Sequence, residues 1–432
     1  MDADAPKKWL IVAQCFNMDG RAASQTITDR LPLLMERGVT PMVISAPTGI
    51  KDRRFRHYQV FSPAPSGFLF EARHVIAGKT RVLSLRRLLK ALLTLPLLPF
   101  LLIEKLFINL DSHWSWFLSA SILGWRVAKK DRPALVYSTA GPSSTHLAGY
   151  LIARMCGLPW LAEVHDPLIM DAQKRRYQRY RFHRWLETLI FKHADAVIYF
   201  TEKALASAEN RTGVSGKGHV LRPGANPPPV GTVGYEKRTR LHLGHFGSLA
   251  DDRNLGDIFK SLDVLKRENP QAARDVVLDV YGSQLDRTSR HLMDRYDVHE
   301  MVHLHGRIEN DPKTGKSGRQ QVIEEMHRCD VLVLMQGDST AGEEYIPSKL
   351  YEYVLTRRPI LGIVLEGSEA DRILKEGGHV AIQKGDVNAI VSALKAFLDE
   401  WENDGVAELK GRGAFTIEKA VDQLIHITAS LD

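Results

Sequence analysis

Cysteine is nearly absent from this sequence. The three in 432 residues, Cys15, Cys156 and Cys329, lie far apart and make no CxxC pair. That argues against a disulfide scaffold or a zinc site, and it fits a reducing compartment. Long apolar runs are missing too. The most hydrophobic stretch, Leu83 to Phe107, has an uncharged centre of 13 residues, Ala91 to Ile103, which contains Pro96 and Pro99. A helix that crosses a membrane needs about 18 or more residues, so this segment is not expected to span. The polar opening, Met1 to Lys8, predicts no secretory signal. Internal repeats and low-complexity tracts are absent. Thr314-Gly315-Lys316-Ser317 imitates the end of a Walker A loop, but the required first glycine is replaced by Asn310. No histidine or carboxylate set has metal-ligand spacing, so no metal is expected. Acids are outnumbered by bases, 51 to 58, and the net charge of +7 implies an anionic partner.

What is present is an alternation of apolar runs and helical patterns. Trp9 to Ala13 suits a buried parallel strand, a turn follows at Asn17 to Arg21, and a helix from about Ala22 to Arg37 is stopped by Gly38. Pro41 to Ser45, Ala134 to Ser138, Pro159 to Val164 and Ala196 to Phe200 supply further strands. Arg222 to Gly234 is crowded with proline and glycine and reads as a linker. Beyond it a second set of strands is predicted at 240–246, 276–281, 301–305, 331–335, 360–364 and 379–382. Helices are predicted near 255–267, 285–296, 317–328, 347–356, 368–375 and 387–403. The expectation is α/β: two Rossmann-like, doubly wound domains facing a central cleft. They divide as an N-terminal domain over 1–225, a linker over 226–238, a C-terminal domain over 239–415 and a closing helix over 416–432 that packs back on the first domain.

The strongest local signal is Gly342 to Pro359, GEEYIPSKLYEYVLTRRP. Pro347 fits the first turn of a helix, where its missing N–H costs nothing. The amides of Ser348, Lys349 and Leu350 at such a helix start, with the Lys349 cation, suit a pyrophosphate. Glu352, about one turn on, suits a ribose diol, and Glu344 suits sugar hydroxyls. The competing reading is a solvated acidic loop before a surface helix.

Glu344 and Glu352 reproduce the E-x7-E spacing of the retaining GT-B glycosyltransferases of family 4, and IPSKLYEY closely resembles a common form of that motif. LGHFGSLADDRNL, from Leu243 to Leu255, resembles the glycine loop that opens the family's C-terminal domain. YSTAGPSSTHLAGYLIARMCGLPWLAEVHDP, from Tyr137 to Pro167, resembles the acceptor-side segment of its polysaccharide-building members. The resemblance covers most of the chain. It implies that Glu344 binds the donor hexose, Glu352 the ribose, and Lys349 with nearby amides the diphosphate. Arg253 then neutralises the departing diphosphate. Gly20 and Gly247 allow close backbone approach to the phosphates, and Gly306, Arg307 and Ile308 after His305 hold the base. His165 takes the position that contacts the donor sugar near the reacting centre, although a histidine satisfied by backbone explains the same residue. Asp166 orients that imidazole or the acceptor, and Ser143, Ser144 and His146 form a hydroxyl-rich loop toward the acceptor. The sequence departs from the pattern at Ser248 and Asn254, where basic residues are common, at Ala22 and Ala23 after the glycine turn, and at Arg357, where glycine is usual. The resemblance further implies front-side attack with the departing phosphate oxygen taking the proton, and no carboxylate base stands out near His165 beyond Asp166.

Arg81, Arg86, Arg87 and Lys90 flank the apolar segment 83–107. With Leu97, Leu98 and Phe100 they suit an interfacial segment on an anionic leaflet, and a buried hairpin is the alternative. Lys174 to Arg184, KRRYQRYRFHR, is basic and interleaved with aromatics. Phospholipid headgroups or a lipid diphosphate suit it better than nucleic acid, for which no fold signature is present. The expectation is therefore a metal-independent hexosyltransferase, cytoplasmic and peripheral on the inner face of the cell membrane. It would use a UDP-sugar or GDP-sugar and a lipid-linked or oligosaccharide acceptor in envelope, lipopolysaccharide or exopolysaccharide assembly. A nucleotide-sugar epimerase on the same frame, or a non-catalytic partner of a membrane glycosylation complex, remains the alternative.

Overall fold

A computed structural model of the chain describes residues 7–18, 21–79, 83–169, 177–226, 234–282, 284–311, 313–337, 340–409 and 415–431. The chain folds as two compact units, Met1–Pro223 with Ile417–Asp432, and Gly224–Thr416.

In the first unit the described strands are β1 (Lys7–Val12), β2 (Val39–Ser45), β3 (Arg56–Gln59), β4 (Leu135–Ser138), β5 (Trp160–Val164), β6 (Ala196–Tyr199) and β7 (Gly218–Val220). They form one parallel sheet in the order β3-β2-β1-β4-β5-β6-β7. Its helices are α1 (Ala22–Glu36), α2 (Pro65–Lys79), α3 (Leu83–Phe107), α4 (Trp116–Asp131), α5 (Ser143–Cys156), α6 (Tyr177–His193) and α7 (Glu202–Thr212). The second unit has β8 (Leu241–Gly247), α8 (Gly256–Glu268), α9 (Pro270–Arg274), β9 (Val276–Gly282), α10 (Arg287–Arg295), β10 (Val302–Gly306), α11 (Gly318–Arg328), β11 (Val331–Met335), α12 (Lys349–Leu355), β12 (Ile360–Val364), α13 (Glu369–Glu376), β13 (Val380–Gln383) and α14 (Val387–Asn403). Its parallel sheet runs β10-β9-β8-β11-β12-β13. The last helix, α15 (Ile417–Ala429), belongs to the first unit and shares a core with α1 through Ile417, Val421 and Leu424 against Ile27, Leu31 and Leu34.

Parallel strands covered on both faces need continuous apolar runs, and the central strands here have them. LVYS in β4 and WLAEV in β5 are buried throughout. The edge strands β3 and β7 are short and polar, RHYQ and GHV, and carry no such signal. Within β5 one residue breaks the rule: Glu163 is fully buried, as is its partner Arg30 from α1, 2.8 Å away. A buried charge survives only when paired in this way.

The apolar segment 83–107 is one helix, α3, and not a buried hairpin. A half-buried stripe that includes Leu93, Thr94, Leu97 and Glu104 lies against α2, tied by Arg73 to Thr94 and by Ser66 to Glu104. Leu97 therefore faces its own domain. Leu88, Leu92, Leu95, Leu98, Leu102 and Leu106 are exposed, at helical spacing along the other side, with Phe100 beside them. Among the described residues no helix is long and apolar enough to cross a membrane.

Candidate functional site

The second unit brings three glycines to the carboxyl ends of adjacent strands. Gly247 closes β8 with φ +143°, Gly282 closes β9 with φ +138°, and Gly306 closes β10 with φ +71°. Gly247 and Gly282 are register partners, and a Cβ on Gly282 would stand 2.1 Å from the Gly247 carbonyl oxygen. Only glycine serves there. Just inside this edge, three rings stack across the strands: Phe246 on Tyr281 at 4.6 Å and Tyr281 on His305 at 4.3 Å. The Phe246 amide donates to the Tyr353 hydroxyl of α12 at 2.9 Å, which anchors α12 against the end of β8. Burial keeps that hydroxyl protonated. Gly282 and Tyr353 were not singled out by spacing. A Tyr-Gly pair closing an apolar run is the only sequence trace of the first.

β11 delivers the segment that carries the paired glutamates. Gln336, buried at the end of β11, donates to the Gly342 carbonyl at 2.5 Å and accepts from the Leu365 amide at 3.0 Å. It thereby clamps the short 3-10 turn Thr340–Glu344 that ends in Glu344, itself half-buried. The helix expected over 347–356 is shorter, Lys349–Leu355, with Ser348 as its exposed N-cap and Pro347 outside it. The Leu350 amide donates to the Pro347 carbonyl at 2.9 Å, so it is spent within the turn and does not point outward as expected. Lys349 Nζ sits 2.6 Å from Glu352, and Arg319 approaches the other Glu352 oxygen at 3.5 Å. Arg253 bonds the Ser248 hydroxyl at 3.3 Å, Arg307 is exposed, and Ile308 packs against the core below β10.

In the first unit His165 follows the carboxyl end of β5. Its Nε2 lies 2.9 Å from the Thr139 hydroxyl, at the end of neighbouring β4, and 3.4 Å from Glu163. Its ring also packs on Phe200. Burial pushes the Glu163 carboxyl up, but the Arg30 guanidinium and the His165 bond outweigh it and hold Glu163 below its ordinary range. Tyr137 adds its hydroxyl to the same carboxylate. A carboxylate beyond Asp166 does therefore stand beside His165, and Glu163 and Thr139 both contact the imidazole Nε2. Asp166 is exposed. Ser143, Ser144 and His146 do not form a loop. They open helix α5 and are buried, with His146 Nδ1 3.1 Å from the Ser138 hydroxyl and the imidazole pushed down by burial to about 3. They do not reach an acceptor from the surface. Gly20 lies outside the described residues, as do Arg81 and Lys174 to Arg176, and the side chains of Arg86 and Arg87 are not described either. Lys90 is half-buried on α3, whereas Arg181 and Arg184 of α6 are exposed.

Two further clusters escaped spacing arguments. Glu71 of α2 is fully buried and accepts from the Ser62 amide at 2.7 Å and hydroxyl at 2.6 Å, with its carboxyl pushed up by burial to about 7. Asp279, His303 and His305 bring ligand atoms within 4.8 Å of one another, a group separated by too much sequence to be read as a motif.

Residues 51–224 match the family described as a glycosyl transferase 4-like domain. No curated protein is detectably similar to the chain in sequence. Among solved structures, Anabaena HepE crystallised with UDP and glucose is similar at 12% identity over 98% of this chain and 100% of that one, with a TM-score of 0.62. Sucrose-phosphate synthase from Thermosynechococcus elongatus gives 12% identity, 98% of each chain and a TM-score of 0.63. S. aureus TarM gives 10% identity, 99% of each chain and a TM-score of 0.61. At such identities these likenesses establish the fold, GT-B, with its two Rossmann-like domains.

Proposed function

We propose that this family-4-like GT-B glycosyltransferase moves a hexose from a nucleotide diphosphate sugar onto a lipid-linked saccharide, with retention of anomeric configuration. The observation that carries the reading is the pairing of Glu344, held by the Gln336 clamp, with Glu352 on α12, beside three strands that end in glycine. Glu352 accepts from the ribose diol and Glu344 from the hexose hydroxyls. Donor binding exchanges the Lys349–Glu352 ion pair, so that Lys349 turns to the diphosphate together with Arg253. Gly247 and Gly20 let backbone approach the phosphates, and the segment Gly306-Arg307-Ile308 holds the base. These two cations neutralise the leaving group without a metal ion. The acceptor hydroxyl attacks the anomeric carbon on the face from which the diphosphate leaves, the glycosidic bond to phosphate breaks, and the departing phosphate oxygen takes the proton. His165, with Asp166, contacts the transferred sugar.

A UDP-sugar or a GDP-sugar fits this scheme, and the UDP and glucose bound by HepE support the former. The α-GlcNAc-glycerol and UDP bound by a TarM variant support a saccharide-bearing acceptor. The exposed leucine row of α3 supports seating on an anionic membrane at its cytoplasmic face, in envelope polysaccharide assembly. The test is incubation of the full chain with UDP- and GDP-hexoses and a lipid extract. Hexose entering the organic phase, with the anomeric signal of the donor kept by NMR, is expected. Nucleoside diphosphate release without a glycosylated lipid overturns the acceptor class, and no turnover with any donor overturns the activity. Replacing Leu92, Leu95, Leu98 and Leu102 with serine should release the protein from anionic liposomes, and unchanged co-sedimentation contradicts the membrane seat.

A further inference from the structure

We infer that Asp279, His303 and His305 form a binding site for one divalent transition-metal ion, best suited to Zn²⁺, at the outer edge of the second unit's sheet. The three residues are distinct from Glu344, Glu352 and His165, and His305 directly precedes the Gly306-Arg307-Ile308 segment proposed to hold the base.

Strand β9 carries an acid where an apolar residue is expected. β9 reads VVLDVYG, and Asp279 at its centre is only 2% exposed. A buried carboxylate needs a counter-charge. Among the described residues no lysine or arginine bridges it. Its partners are three imidazoles: His242 Nδ1 at 2.6 Å from Oδ2, His305 Nε2 at 2.6 Å from Oδ1, and His303 Nδ1 at 3.6 Å from the same Oδ1. The Arg238 guanidinium stands 3.3 Å from His242 Nδ1 and so faces the imidazole that holds Oδ2, away from the Oδ1 side where His303 and His305 converge.

The backbone explains how two histidines reach one oxygen. His303 is the register partner of Asp279 across the β9–β10 pair, and the register then shifts between Leu304 and Gly306. Such an irregularity re-aims a side chain, and here His305 stacks on Tyr281 at 4.3 Å and 9° with its Nε2 turned to Asp279. Atoms that share a zinc ion at its usual bond lengths stand about 3.4 Å apart. The two distances to Oδ1 bracket that spacing, so small ring movements create the geometry. Two nitrogens and one carboxylate oxygen with an open position suit zinc and its neighbours, and do not suit Mg²⁺ or Ca²⁺. His242 holds the other carboxylate oxygen, as partners outside the ligand set do in metal sites. Both ligating rings are partly exposed, 48% for His303 and 38% for His305, so the ion has a way in.

β10 is an edge strand, and such a link would tie it to β9 directly ahead of Gly306. The test is dialysis of the full chain against Zn²⁺ followed by elemental analysis, with Co²⁺ absorption as a probe of geometry and thermal melting as a second readout. One zinc per chain and a raised Tm are expected for the wild type. His299→Ala, which alters an exposed histidine paired with Asp294, should behave like the wild type. The double variant His303→Ala/His305→Ala should melt normally without metal, bind no zinc and gain no Tm from it. His242→Ala should weaken binding by about 10- to 100-fold. A wild type that leaves dialysis without zinc overturns the inference. So does a double variant that retains as much zinc as the wild type, because the ion then sits elsewhere.

Discussion

Glu163 Oε1 and His165 Nε2, two residues apart at the end of β5, stand 3.4 Å from each other, with the Thr139 hydroxyl 2.9 Å from the same imidazole nitrogen. Glu163 has no solvent exposure, and it is committed on its other side to Arg30 and Tyr137. The imidazole is therefore positioned by the interior of the first unit and not by the exposed Asp166. Thr139→Ala removes one oriented hydrogen bond, a loss of about 1 kcal/mol. It should lower kcat by up to about tenfold while leaving the donor KM unchanged. Thr139→Ser should restore the rate. Steady-state kinetics on the three forms checks this, and a KM effect equal to the kcat effect contradicts a positioning role.

The Arg30–Glu163 pair carries a stability prediction. Both side chains are fully buried. Removing one partner strands the other charge away from water, which costs about 3–5 kcal/mol. Arg30→Met should lower the urea midpoint accordingly, and loss of stability within the range of ordinary surface changes would show that water reaches Glu163.

Arg357 tests a departure visible in the sequence. It stands where glycine is usual, and its backbone adopts φ +61° just after the end of α12. A side chain in the left-handed region costs about 1 kcal/mol, so Arg357→Gly should stabilise the chain by about that amount. The change is read as a rise in Tm, and a fall would mean that the arginine makes a contact worth more than the strain.

Glu71 predicts a pH dependence. Its carboxyl is raised from 4.5 to about 7, chiefly by burial. Above pH 4.5 the unfolded chain has lost a proton that the folded chain keeps until about pH 7. The contribution of Glu71 therefore weakens as pH rises through that window and is level above it. Glu71→Gln should gain on the wild type across the window by on the order of 3 kcal/mol. Denaturation curves at intervals of pH measure the difference, and a constant gap between the two proteins contradicts the assignment.

Apolar runs such as WLIV in β1 and VLVLM in β11 announced their strands because a doubly covered parallel strand has few other ways to be built. β3 and β7 stayed hidden because an edge strand needs only one neighbour and tolerates RHYQ or GHV. The glutamate pair was legible because both residues lie in one segment. Glu163, Thr139, Gln336 and Asp279 were not, since each gains its meaning from a partner on another strand or helix. Helix α5 misled in the opposite sense. Ser143, Ser144 and His146 look like surface chemistry in sequence, but the packing against Ser138 and Trp160 turns them inward.

On the proposed function, the second unit holds a nucleoside diphosphate between Glu352, Lys349 and Arg253. Calorimetric titration of UDP and GDP into the full chain, its Glu352→Ala variant and its His165→Ala variant tests it most directly. One nucleotide should bind the wild type and the His165 variant alike and bind the Glu352 variant at least about tenfold more weakly, the loss of a charged hydrogen bond. Equal affinity for the wild type and the Glu352 variant, or no binding of either nucleotide, would rule out this donor site.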